Sequence, residues 1–107
     1  MFPALLSAEE PLRPPGDCAE AEQKVLKAEV GRACKTTSMK CYDHQECSEL
    51  LSNWLTYQRC INARRAIMDR CFRGGDESHH REVDNYERGA SECSQLMTVK
   101  RCPEQCR

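Results

Sequence analysis

Nine of the 107 residues are cysteine, and no other feature constrains this chain more. Cysteine at this density points to a scaffold held by cross-links. The side chains that normally build a core are scarce: eight Leu, four Val, two Ile and two Phe. A chain of this length buries only part of its surface, so covalent bonds have to stand in for missing apolar contact. With 31% charged residues but a formal net charge of only −1, self-repulsion does not hold the chain open.

Some classes drop out at once. No stretch approaches the roughly 18 apolar residues that crossing a bilayer requires, so no membrane segment is expected. The opening Met1-Phe2-Pro3-Ala4-Leu5-Leu6 has neither the basic lead nor the apolar length of a secretory signal. Disulfides belong to oxidising compartments. Two readings follow: cysteines kept reduced in the cytosol, or a piece of a larger exported polypeptide.

Residues 1–16 hold four of the five prolines and close on Gly16, which reads as a disordered, Pro-rich linker. Residues 17–107 read as one cysteine-rich helical domain. Asp17, with Glu20 three residues on, opens a first helix that carries Cys18, Ala21, Val25 and Ala28 and is expected to stop at Gly31. Residues 32–44 lack periodicity and are expected to form a loop. From about 45 to 72, Cys47, Leu50, Leu51, Trp54, Ile61, Met68, Cys71 and Phe72 recur at helical spacing. Gly74-Gly75 ends that helix. Asp76 then caps another, with His79, Val83, Tyr86, Ala90, Cys93 and Met97 on one seam and Gly89 as a weak point.

The expected fold is therefore all-α: a small cysteine-rich domain built on an antiparallel helical hairpin, with an additional N-terminal helix. Counted outward from the glycine joint, position 60 falls roughly opposite position 90. Cys93 is then the expected partner of Cys60, and Cys71, near the joint, is expected to reach Cys34 or Cys41. Cys34, Cys41, Cys47, Cys60, Cys71 and Cys93 are the expected structural disulfide cysteines, and an odd total leaves one over. No Cys-x-x-Cys occurs. The nearest spacings are Cys41-x5-Cys47, with His44 inside, and Cys102-x3-Cys106, so no metal site and no cofactor are expected.

The chemistry concentrates in Arg73-Gly74-Gly75-Asp76-Glu77-Ser78-His79-His80-Arg81. Asp76 and His79 are three apart at a helix start and share a face. A helix N-terminus disfavours a positive ring, and a neutral histidine can act as a general base. Arg73 and Arg81 flank it, and guanidinium groups suit a phosphate that gains charge. His79 as base, Asp76 as its orienting partner and Arg73 and Arg81 as a phosphate clamp, with His80 adjacent, would suffice for metal-independent cleavage of RNA. The same residues also make an ordinary capped turn in a non-enzymatic interaction module. Residues 59–107 carry nine Arg and one Lys against eight acids, a modest basic excess that fits either phosphate recognition or a solvated helix surface.

Arg32-Ala33-Cys34-Lys35, Cys41, Cys47-x-x-Leu50, Cys60-x-x-Ala63-Arg64-x-x-Ile67, Cys71-Phe72-Arg73-Gly74-Gly75-Asp76-x-x-His79 and Cys93 resemble the novel toxin 16 family. These are C-terminal toxin domains of bacterial polymorphic toxin systems, and the likeness covers roughly residues 32–94. The resemblance implies a mostly helical domain. It would be secreted as the tip of a larger protein with its own delivery module, delivered into a competing bacterium and neutralised by a cognate immunity protein. An orphan copy would stay in the cytoplasm. A nuclease acting on RNA is the leading expectation; a disulfide-stapled interaction module and a toxin acting on the cell envelope are the alternatives.

Overall fold

A computed structural model describes residues 18–34 and 39–103. The Pro-rich segment, the Asp17 cap and Cys106 lie outside them. Among the described residues there are three helices and no strand: α1 (Glu20–Cys34), α2 (Cys47–Cys71) and α3 (Glu77–Val99). The fold is all-α, with a hairpin of α2 and α3 and α1 added before it. Both α1 and α3 pack on α2.

The α2·α3 seam follows from the spacing of its apolar residues. Leu50, Tyr57, Ile61 and Met68 of α2 meet Val83, Ala90, Cys93 and Met97 of α3, with Met39, Cys41 and Cys102 closing the cluster. Leu50, Met97, Cys60 and Cys93 are fully buried. Tyr57 runs into the point where α3 carries Gly89: a Cβ there would overlap the Tyr57 phenol ring. Tyr57 also packs against Tyr86, ring centres 6.3 Å apart, and burial pushes its phenol above the ordinary value, with Glu92 adding to the effect. Gly89 thus gives up helix propensity to admit a buried aromatic ring.

Helix α1 is held differently. None of its residues is buried. Cys18–Cys71 fastens its start to the end of α2, and Cys34–Cys60 fastens its end to the middle of α2, so the two helices run antiparallel. An ion pair between Glu22 and Arg70 lies between these anchors. Cys41–Cys93 ties the 39–46 segment to α3, and Cys47–Cys102 ties the start of α2 to the third residue past α3. There the chain reverses with Arg101 at φ 58°, its N–H donating to the Thr98 carbonyl and that of Cys102 to Met97, as helix ends commonly do.

Three expectations need correction. Cys60 pairs with Cys34, not Cys93; Cys93 pairs with Cys41; and Cys71 reaches Cys18 rather than Cys34 or Cys41. Cys60 and Cys71, eleven residues apart, do share a face within about 20°, but that face of α2 carries α1, and α3 lies about a quarter-turn further round. The first helix also runs through Gly31 to Cys34, because Gly31 is exposed with nothing within 4 Å of its Cβ position and the cross-link three residues on holds the last turn. The long helix, expected from about 45, starts at Cys47, where Glu46 and Glu49 form a reciprocal capping box.

Two outcomes follow. Gly89→Ala, which would gain about 1 kcal/mol in an isolated helix, should instead destabilise the protein by roughly 1–2 kcal/mol in urea melts because Tyr57 cannot withdraw without losing its packing. Combining it with Tyr57→Ala should show strong coupling; independent effects would refute the contact. Each α1 disulfide closes a loop of 26 or 53 residues, which in the loop-entropy picture stabilises by about 3.5–4 kcal/mol. Removing both pairs by Cys→Ser should abolish hydrogen-exchange protection across α1 and leave it in α2 and α3; protection retained in α1 would show that packing alone holds it.

Candidate active site

The joint between α2 and α3 is built by three successive residues with positive φ: Arg73 at 52°, Gly74 at 86° and Gly75 at 91°. The Gly74 N–H donates to the Met68 carbonyl at 2.9 Å, and that of Gly75 to Phe72 at 2.7 Å. A side chain at Gly75 would lie 2.6 Å from Met68 Cε and 3.2 Å from His79 Cβ. Glycine at 75 therefore allows the chain to turn closely enough to lay the first turn of α3 on the last turn of α2. One result is that the His79 ring stacks on Phe72, centres 5.0 Å apart and planes 27° from parallel.

Asp76 caps α3, and its Oδ1 gathers three donors: the His79 backbone N–H at 3.0 Å, His79 Nδ1 at 2.7 Å and the Ser78 hydroxyl at 3.0 Å. These hold the Asp76 carboxyl down to about 2, the backbone hydrogen bond from His79 contributing most, then the His79 ring and then Ser78. A carboxylate can only accept, so Nδ1 of His79 carries the proton in this pair. The Nε2 of a neutral ring then bears the lone pair that could take a proton from a ligand.

His79 also lines a cleft of about 220 Å³ that opens between α1, α2 and the start of α3. Its floor is Ile67, Met68 and Phe72; α1 contributes Gln23, Lys27 and Val30, and α2 contributes Arg64. Arg64 Nη1 donates to Glu82 Oε1 at 3.0 Å, and its guanidinium lies 5.1 Å from the centre of the Tyr86 ring.

Of the residues singled out in the sequence, His79 and Asp76 come together and His79 reaches the cleft. Arg73, Arg81 and His80 are exposed and do not line it. Arg81 pairs with Glu77 at 3.4 Å one turn back, and the His80 N–H donates to the Asp76 carbonyl. The cleft's cations are Lys27 and Arg64, which the sequence reading did not select. Lys27 could have been found, since it lies four residues from Gln23 and three from Val30 with no acid three or four residues to either side. Among the described residues no group of three or more His, Cys, Asp or Glu side chains could hold a metal ion, and no helix is long and apolar enough to cross a membrane.

The cap can be tested by acid titration. A depressed carboxyl contributes stability above its unfolded value and loses it as pH falls through the folded one. In side-chain NMR, Asp76 should titrate near pH 2, with the α3 N-terminus fraying only below about pH 4, the unfolded range. A midpoint near 4 would show that the three hydrogen bonds do not persist.

No curated protein and no solved structure matches this chain. A family model described as Novel toxin 16 does, over residues 14–96, a span that runs from before Cys18 through most of α3 and takes in the cleft and the His79–Asp76 pair. The chain belongs to the Novel toxin 16 family, which makes it a toxin domain.

Proposed function

We propose that this toxin domain is a metal-independent ribonuclease, delivered into competing bacteria as the C-terminal part of a larger exported protein and neutralised by a cognate immunity protein. The observation that carries the enzymatic reading is the 2.7 Å contact between His79 Nδ1 and Asp76, on a ring that lines a cleft. Orientation by a carboxylate presents Nε2 as the acceptor, the arrangement general-base catalysis needs.

In the proposed reaction, Nε2 of His79 takes the proton of a ribose 2′-hydroxyl. The 2′-oxygen forms a bond to the adjacent phosphorus, the bond from phosphorus to the 5′-oxygen breaks, and the leaving oxygen takes a proton from water. The products are a 2′,3′-cyclic phosphate and a 5′-hydroxyl. Asp76 balances the imidazolium formed on the way. In this reading Arg73 and Arg81, exposed on the turn and in the first turns of α3 with His80 beside them, bind flanking phosphates rather than the one being cleaved.

Purified protein, kept oxidised, should convert RNA to fragments with cyclic phosphate ends in the presence of a chelator. His79→Ala should slow this by about 10²–10⁴-fold, the usual worth of a positioned base, with the circular dichroism unchanged. Asp76→Asn should also impair it. If His79→Ala leaves both RNA cleavage and growth inhibition intact in a folded protein, the catalytic assignment is wrong. Inhibition on periplasmic but not cytoplasmic expression would instead identify a toxin of the envelope, where disulfides persist.

A further inference from the structure

We propose that Lys27 and Arg64 form a phosphate-ester subsite on the wall of the cleft shared by α1 and α2, with the ester's organic part against the apolar floor beside His79. The inference deepens the ribonuclease reading and rests on it for the identity of the ester as a nucleotide.

Register brings the two cations together. The α1–α2 cross-links join Cys18 to Cys71 and Cys34 to Cys60, and Glu22 pairs with Arg70 between them. In that antiparallel alignment Lys27 falls opposite Arg64, and both line the cleft with His79. No Asp or Glu lines it. Among the described residues Lys27 has no ion pair, whereas Arg64, the other cation of the cleft, pairs with Glu82. Two cations on one recess, with only Arg64 matched by an acid, leave a net positive charge that favours an anion there.

Arg64 adds an independent sign. Its Nη1 is taken by Glu82 and its guanidinium lies over the Tyr86 ring, two contacts that restrict its orientation. Its Nε is buried and meets no acceptor among the described residues. A buried donor left without a partner is costly, and a restrained guanidinium with unused N–H groups is the kind of donor that recognises phosphate oxygens. Lys27 complements it as a point charge on a flexible stem. The floor of Ile67, Met68 and Phe72 offers no polar side chain, so it suits the flat face of a base.

The test uses the whole oxidised protein with uridine 3′-monophosphate, inorganic phosphate and uridine, followed by NMR at His79 and Lys27. The monophosphate should bind and shift both residues, uridine should not compete, and Lys27→Ala should weaken binding about tenfold, as expected for loss of one charge-assisted contact. Lys27→Glu should weaken it further. Both changes lie on an exposed helix surface, so far-UV circular dichroism should be unaltered. Equal affinity in wild type and Lys27→Ala, uridine binding as well as its phosphate, or no nucleotide binding at all would overturn the subsite. Inorganic phosphate that binds as tightly as the nucleotide would overturn the role of the apolar floor. Lys27-dependent nucleotide binding without RNA cleavage would leave the subsite standing and remove the ribonuclease reading. His79-dependent cleavage indifferent to Lys27 would do the reverse.

Discussion

Two disulfides on one strip of α2 set the form of this molecule. Cys60 and Cys71 project along the strip that also carries Ala63 and Ile67, and each bonds an end of α1. Since α1 buries none of its own residues, it offers little apolar surface of its own to fix its position, and the covalent bonds are its main anchors. A quarter-turn away on the same helix, Leu50, Tyr57, Ile61 and Met68 form the seam with α3. Helix α2 is therefore held by cross-links on one side and by burial on the other.

The cleft occupies the corner between those two sides. By helical geometry Arg64 stands about 40° round α2 from Cys60, between the strip facing α1 and the seam facing α3. It reaches the cleft formed with α1 while bonding Glu82 of α3. His79 enters the same corner from above, because Gly75 lets the turn run close to Met68. Three elements thus each contribute one group able to meet an anion or its proton, and the joint of the hairpin determines how deeply the histidine sits.

Much of this was legible in the residues themselves. Val83, Ala90, Cys93 and Met97 mark the α3 seam because one helical face repeats at three and four, and Asp76 with His79 marks a capped start because a carboxylate at that spacing reaches the free N–H groups of the first turn. What could not be read was the division of α2 into two faces. A hairpin picture assigns Cys60 to α3 and so to Cys93, since sequence spacing places residues around a helix without saying which neighbour stands where. Gly31 misled for a related reason: glycine stops a helix only where nothing further on holds the turn, and Cys34 does. Arg64 was one of several arginines at intervals along α2 until the corner between the two faces distinguished it from Arg59, Arg65 and Arg70.

The division also separates what keeps the molecule folded from what shapes its site. The seam of α2 and α3 depends on buried side chains, and changes there cost stability directly. The cleft wall on α1 is different, since Gln23, Lys27 and Val30 belong to a helix without a buried residue. Substitutions along that wall alter the charge and shape of the recess while leaving the seam untouched. A chain with so few core-forming residues can then vary this wall without drawing on the apolar contacts that hold the hairpin. The condition is that both anchors of α1 stay oxidised, which links the geometry around His79 to the redox state of its surroundings.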